Sequence, residues 1–513
     1  MDGGHPLNIG MILTRHAQYR PNHTAVVFKE QRLNYLQLNQ EVNRISNALL
    51  NVGITKGDKV ATLLPNCLEL LEMYWAAAKT GAVVVPLSPM LLPKGLKSLL
   101  EDSESKVIVT NSSLAKNVDE IRHELSGVID DGYIVTDSAD MPGYKYYHEM
   151  KASASGQDPQ GIEISENDPY NIIYSSGTTG LPKGIVHTHY VRLMYALTMT
   201  PLFRMTPESI MMHSGSIVFN ATFVTLMPAL YLGCTFVLLP AFNPEAFIDT
   251  VNREKVTHMM IVPAQVIAIL HSPKFSLKAL QSIEMICNVG APLLKEHKVE
   301  LNKRLPGRFY ELYGLTEGFV TVLDKYDYSR KPDSVGIPGP LSQMRIVDEN
   351  GKDVPTGQIG EIIGRAAVLM PGYYNRPDQT EQAIKDGWLY TGDMGYVDAD
   401  GFLYLVDRKK DMIDSGGVKV YPRDIEEVVA RHPDVREVAV FGVPDEKWGE
   451  TPVAAVVLNK PDSITAESLQ EWINANVGAK YQRVSKVVIS QEFPRNIAGK
   501  ILKRIMREEY LKK

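Results

Sequence analysis

Residues Tyr174–His189 read YSSGTTGLPKGIVHTH, a short stretch of serines and threonines with three glycines, Gly177, Gly180 and Gly184, and Lys183. Residues 171–174, NIIY, read as the end of a strand. The glycines let backbone N–H groups turn toward an anion with no Cβ in the way. Ser175, Ser176, Thr178 and Thr179 add hydroxyl donors, and Lys183 adds a mobile cation. A Walker-type loop needs Gly-Lys-Ser/Thr opening a helix, whereas Leu181-Pro182-Lys183-Gly184 leads into IVHTH, which reads as a strand. The stretch is therefore a phosphate loop between extended segments, and a Walker NTPase is disfavoured. A polar surface hairpin accounts for any three of these residues but not for the whole set.

Outward from the loop, strand and helix signals alternate. KVATLLPN is a strand, CLELLEMYWAAAKTG a helix ended by Gly81, AVVVPLSP a strand, LKSLLEDSE a helix and KVIVTNS a strand. This alternation predicts a largely parallel α/β sheet. From Ser209 to Pro244 no Asp, Glu, Lys or Arg occurs, but Pro228, Gly233 and Pro240 interrupt the run and no basic cluster flanks it. It reads as a buried helix, FVTLMPALYLG, followed by a buried strand, CTFVLLP, and not as a membrane span. The chain of 513 residues is long enough for two or three domains. A net charge of −6 and a pI near 6.1 disfavour nucleic acid as a partner. Cys67, Cys234 and Cys287 show no metal-ligand spacing and are expected as buried thiols in a cytoplasmic protein, with no signal peptide at the start.

Late in the chain, the strand FLYLV runs into a charge cluster, Asp407 to Asp411, and then Gly416-Gly417. The cluster reads as a linker and turn, not as a core element. Beyond it, PRDIEEVVARHP is a helix started at Pro422 and stopped before Pro433, VREVAVFGV and PVAAVVLN are strands, and ITAESLQEWINANV is a helix. About 100 residues with their own strands and helices predict a small α/β domain.

Four separated motifs, YSSGTTGLPKG (174–184), YGLTE (313–317), YTGD (390–393) and PRNIAGK (494–500), occur in this order, together with DRKKDMI (407–413). The set resembles the adenylate-forming superfamily of acyl-CoA synthetases, adenylation domains and luciferases, over nearly the whole chain. The resemblance implies a large N-terminal multi-layer α/β domain, with parallel-rich sheets and a distorted β-barrel, over residues 1–407. It also implies a hinge at 408–411 and a small mobile α/β domain over 412–513. It implies coupling of a carboxylic acid to AMP with loss of pyrophosphate, then transfer to the thiol of CoA, with ATP and Mg²⁺ required. The expected partners are the small acid, ATP and CoA, with a homodimer as the further assembly, and no nucleic acid or membrane span.

The resemblance also implies residue roles. The Ser175–Lys183 loop, with Ser176, Gly177, Thr178, Thr179 and Gly180, holds the leaving phosphates. Thr316 hydrogen-bonds the α-phosphate, and Glu317 holds Mg²⁺, a hard cation that prefers oxygen. Tyr313, Gly314, Gly290, Ala291 and Pro292 border the nucleotide, although YGLTE alone reads as a glycine turn before a helix. Asp393 accepts the ribose hydroxyls, and Arg408 reaches the same sugar. Lys500 bridges the attacking carboxylate and the α-phosphate. Many relatives carry threonine at Asn496, a turn-like position that Asn suits. Rotation of the small domain about Lys410 withdraws Lys500 and brings Gly416 and Gly417 to the pantetheine path.

The acid pocket is expected among Val218, Phe219, Asn220, Gly314, Phe319 and Val320, with Ala221 and Phe223 as neighbours. A stand-alone amino-acid-activating enzyme places Asp in an F-D-x-S motif. Phe219-Asn220-Ala221-Thr222 has a neutral Asn there, which cannot pair an α-ammonium. A luciferase-like oxygenase shares every motif, and a degenerate nucleotide or acyl-adenylate sensor is disfavoured by the retained Lys500, Asp393 and Glu317. The histidine or aromatic gate of many relatives falls at Val218 and Phe219, with His213 five residues earlier. An apolar wall with Asn220 as its strong polar contact predicts a neutral medium-chain, alicyclic or simple aromatic acid.

Overall fold

The strand–helix alternation of the first 110 residues produces a parallel sheet: Lys59–Leu63 pairs with Val83–Leu87 on one side and Ser105–Thr110 on the other. A computed structural model of the chain describes residues 8–175, 182–409, 411–415, 418–446, 448–495 and 501–512. It divides into two compact units, one of residues 1–332, 338–343 and 365–389, the other of 333–337, 344–364 and 390–513.

The first unit holds two sheets. One has seven strands in the order Lys145–Tyr146, Tyr133–Val135, Ser105–Thr110, Lys59–Leu63, Val83–Leu87, Pro169–Ser175, Lys183–Thr188. The other has nine, with Phe309–Gly314, Met285–Asn288, His258–Ile261, Ile210–His213, Thr235–Leu238 and Thr24–Phe28 side by side in its middle. One continuous core joins Val60, Val84 and Val107 of the first sheet to Met211, Phe236 and Met260 of the second through Trp75, Tyr195 and Phe223 of the helices. The neighbouring residues Ala61 and Val85, and Met212 and Val237, point into separate cores on the outer faces. Strands buried on both faces require the continuous apolar runs seen in the sequence.

The helix Leu68–Thr80 ends, as expected, at Gly81, whose φ of 70° is the left-handed conformation glycine supplies freely. The charge-free run forms the helix Ala221–Leu232 and the strand Thr235–Leu238. Pro228 sits inside the helix, as in the reading FVTLMPALYLG, and the helix gives up one backbone hydrogen bond in a buried position. Among the described residues, no helix is long and apolar enough to cross a membrane. YGLTE is not a turn before a helix; it is the bend of a hairpin between Phe309–Gly314 and Val320–Leu323, closed by the pair Gly314↔Val320. The thiols are free, with Cys234 and Cys287 buried and Cys67 half-buried.

In the second unit, Leu403–Arg408 runs antiparallel to Trp388–Val397. A further sheet pairs Val435–Asp445 with Gly449–Leu458, flanked by Ile413–Ser415 and Lys486–Ser490. Its faces are covered by Ile425, Val429, Leu469 and Ile473 on one side and by Phe493 and Met506 on the other. The charge cluster is more than a solvated linker. Asp407 lies in the strand Leu403–Arg408 and accepts the backbone N–H groups of Arg408 at 2.7 Å and Arg423 at 3.0 Å, and Arg423 Nη1 donates to the Leu405 carbonyl at 3.1 Å.

Candidate active site

The strands Pro169–Ser175 and Lys183–Thr188 pair antiparallel with Ser175 opposite Lys183, so the two ends of the glycine-rich stretch are held face to face. Ser176, Gly177, Thr178, Thr179 and Gly180 lie outside the described residues, as do Lys410, Gly416, Gly417, Asn496 and Lys500. Segment 372–374 runs beside Lys183–Val186, through Val186 N–H to the Gly372 carbonyl and Tyr374 N–H to the Gly184 carbonyl. This brings Tyr373 under Lys183, whose ammonium lies 4.7 Å from the ring centroid. The Tyr373 hydroxyl donates to Glu317 Oε1 at 2.9 Å. Burial, with the Glu317 carboxylate beside it, raises the Tyr373 hydroxyl pKa, so it keeps its proton as a donor.

The bend carrying Thr316 and Glu317 is fixed through its backbone. Gly318 has φ of 112° and packs against the Val368–Leu369 backbone, where a Cβ would lie 2.6 Å from Leu369 Cα and closer still to the Val368 carbonyl oxygen. The Glu317 carbonyl accepts from Met370 N–H at 2.8 Å. The Thr316 carbonyl lies 2.9 Å from His187 Nε2. Burial, with Arg192 close by, holds the His187 pKa well below the usual range, so the ring is neutral. Tyr313 is half-buried and Gly314 exposed, while Phe319 and Val320 are buried in the hairpin's second arm.

Before the helix Ala221–Leu232, the chain is pinned by Asn66, whose amide donates to the Gly215 carbonyl at 2.7 Å and the Leu239 carbonyl at 2.9 Å and accepts from Ile217 N–H at 2.9 Å. The Tyr74 hydroxyl donates to the Ile217 carbonyl at 2.8 Å. Val218 is buried and Phe219 half-buried. Asn220 is not an isolated polar group in an apolar wall. Its Oδ1 accepts from Arg192 Nη1 at 2.9 Å, and its Nδ2 donates to the Tyr195 hydroxyl at 3.0 Å. Arg192, fully buried, lies with its guanidinium 4.0 Å from the Phe223 ring centroid. His213 is packed against Phe236 and Thr222, and burial lowers its pKa to about 4.

The bend NVGAPL exposes Gly290, Ala291 and Pro292, with Gly290 at φ of 86°. Asn288 Nδ2 holds the Ala291 carbonyl at 3.1 Å, and Glu311, paired with Lys298, lies behind it. In the second unit, Asp393 and Arg408 face each other across paired strands, with Arg408 Nε 3.1 Å from Asp393 Oδ1. Gly392, at φ of 70°, makes the bend of YTGD, and Thr391 Oγ1 accepts the Asp393 N–H at 3.1 Å.

A family model described as AMP-binding enzyme matches residues 13–374, and one described as AMP-binding enzyme C-terminal domain matches residues 424–500. The chain belongs to the AMP-binding enzyme family. It is 33% identical over 509 residues to the long-chain-fatty-acid–CoA ligase FadD13 of Mycobacterium tuberculosis, covering 98% of each chain. It is 32% identical to the indoleacetate–CoA ligase of Aromatoleum aromaticum, covering 97% of each. Among solved structures, ATP-bound MatB from Rhodopseudomonas palustris superposes with a TM-score of 0.90 at 28% identity, covering 99% of each chain. This AMP-binding enzyme is thus an AMP-forming acid–thiol ligase that makes acyl-CoA. Of the residues described above, the sequence motifs point to Lys183, Thr316 and Glu317 in the first unit and to Asp393 and Arg408 in the second. They left out Tyr373, His187, Arg192 and Asn66, for which the one visible signal is an arginine set among the apolar residues of VRLMYAL.

Proposed function

We propose that this AMP-binding enzyme activates a neutral monocarboxylic acid, medium-chain, alicyclic or simple aromatic, as its acyl-adenylate and passes the acyl group to CoA. The observation that carries the choice of acid is the state of Arg192. It touches Asn220 and Phe223 yet is fully buried and spends its hydrogen bonds on Asn171, His187 and Asn220, all neutral. A second carboxylate on the acid would meet Val218, Phe219 and an already committed Asn220, and could reach the Arg192 guanidinium behind Asn220 only by breaking those buried hydrogen bonds. Each CH₂ buried there instead contributes about 0.8 kcal/mol.

In this reading, Lys183 and its hairpin hold the leaving phosphates, Thr316 hydrogen-bonds the α-phosphate, and Gly290, Ala291, Pro292, Tyr313 and Gly314 border the nucleotide. Asp393 and Arg408 bind the ribose, and Lys500 draws the carboxylate and the α-phosphorus together. Their common task is to offset anion approaching anion and to hold the attack in line. Glu317 suits Mg²⁺: its carboxylate offers oxygen ligands, and the Tyr373 hydroxyl engages Oε1 and orients the group. When bound, the ion supplies charge neutralisation on the phosphates. Thiol transfer follows rotation about Lys410, with Gly416 and Gly417 lining the pantetheine path.

CoA-dependent AMP release across a panel of acids tests the proposal. Hexanoate, cyclohexanecarboxylate or benzoate should give the highest kcat/KM. A preference for malonate or any amino acid overturns it.

A further inference from the structure

Arg192 makes three hydrogen bonds from the helix His189–Leu202: Nε to Asn171 Oδ1 at 2.8 Å, Nη1 to Asn220 Oδ1 at 2.9 Å, and Nη2 to His187 Nδ1 at 3.2 Å. A guanidinium can only donate, so Nδ1 of the neutral His187 ring must accept, and the ring proton sits on Nε2. Asn171 acts in the same sense. With its Oδ1 turned to Arg192, its Nδ2 faces His187 Nδ1 at 3.4 Å as a second donor. The Nε2–H is then aimed at the Thr316 carbonyl, 2.9 Å away. In the opposite tautomer, two lone pairs would face each other at that distance, and Nδ1–H would point into a cation.

The Thr316 carbonyl precedes Glu317, whose own carbonyl is held by Met370 and whose carboxylate is held by Tyr373. His187 therefore supplies a side-chain anchor for the backbone of this bend, and Arg192 decides whether His187 can act as one.

We propose that Arg192 is a positioning residue for the adenylation step, fixing His187 in the Nε2–H tautomer so that it anchors the Thr316 carbonyl and sets Thr316 and Glu317. The proposal rests on the roles assigned above to Thr316 and Glu317. Outer-layer partners of this kind change activity by about 10- to 100-fold when removed.

Histidine-selective ¹⁵N labelling and NMR of the whole enzyme read the tautomer directly. Wild type should show His187 with its proton on Nε2, and Arg192→Met should give a mixture of tautomers. The same variant should lose about tenfold in acid-dependent ATP–pyrophosphate exchange, a clearly larger loss than it shows in converting supplied acyl-adenylate to acyl-CoA, which it can affect only through Asn220 and Phe223. His187→Gln, whose amide can donate to the Thr316 carbonyl without a tautomer to fix, should retain more exchange than His187→Leu. Arg192→Met should cost little further in the His187→Gln background. A wild-type proton on Nδ1 overturns the proposal, whether or not any variant folds. So does an Arg192→Met loss of equal size in both backgrounds or in both half-reactions. Absence of acid-dependent exchange in wild type would refute the functional reading instead, and it leaves the tautomer measurement unaffected.

Discussion

Replacing Gly318 by alanine tests the claim that the Thr316–Glu317 bend is held by its backbone. Two costs add at this position. Its φ of 112° lies where L-residues rarely go, and the new Cβ would stand 2.6 Å from Leu369 Cα and nearer still to the Val368 carbonyl. Backbone strain of this kind costs about 1–3 kcal/mol. Overpacking costs about 1–3 kcal/mol more, because the atoms in the way are main chain and have no rotamer to change. The sum is roughly 2–6 kcal/mol, or well over tenfold in any equilibrium that requires the native bend. Gly290 is the internal control: its φ is 86°, but an added Cβ meets only Val262 Cγ1 at 3.7 Å. Gly290→Ala should therefore cost only the strain, about 1–3 kcal/mol. Urea unfolding followed by tryptophan fluorescence, with pyrophosphate exchange on the same samples, gives both readouts. Gly318→Ala should lower the midpoint clearly more than Gly290→Ala and should lose exchange even where it is folded. If Gly318→Ala matches wild type in both, the bend is not held as described.

Two further predictions follow from the proposed roles and from the buried histidines. Lys500→Ala should lose at least ~100-fold in adenylation and spare the thiol step, while Gly417→Leu should do the reverse; equal losses in both half-reactions for either variant would refute the two-state division of labour. Burial lowers His189 and His213 to about 4, so between about pH 6.5 and 4 the unfolded chain binds protons that the folded chain does not. Nothing is lost above that window, and stability should fall as pH drops through it, by up to about 3 kcal/mol per histidine. Urea midpoints at pH 7, 6 and 5 measure the slope, His213→Gln should make it shallower by about one proton, and equal midpoints at pH 7 and 5 would contradict the assignment.

The parallel core was legible because each strand is short and apolar and each intervening helix carries its own stop, as Gly81 does for Leu68–Thr80. The motif residues stand out in the sequence because the phosphate, metal and ribose of the proposed reaction would each demand a residue type within a few positions. What escaped has its partner far away in the chain. Asn66 acts on Gly215, Ile217 and Leu239, His187 on Thr316, and Tyr373 on Lys183 and Glu317. No local pattern marks a residue whose role is set by a hydrogen bond across more than 100 positions, as between His187 and Thr316. The hairpin at YGLTE was missed for a related reason: whether the residues after the bend extend or coil is decided by pairing with Phe309–Gly314. Pro228 stays inside the helix read as FVTLMPALYLG, because the packing around a buried helix outweighs one lost hydrogen bond.

The anchoring of Gly215 and Ile217 by Asn66 and Tyr74 has an evolutionary consequence. Both anchors grip main-chain atoms, so they hold the path of the chain whatever side chains follow at Val218 and Phe219. The segment behaves as an interchangeable panel on a fixed frame. With the acid placed as proposed, exchanges at those two positions would reshape the space offered to it while the sheets and the Thr316–Glu317 bend keep their places. A lineage built this way can drift from one acid to another through single substitutions, without passing through an unfolded intermediate ancestor.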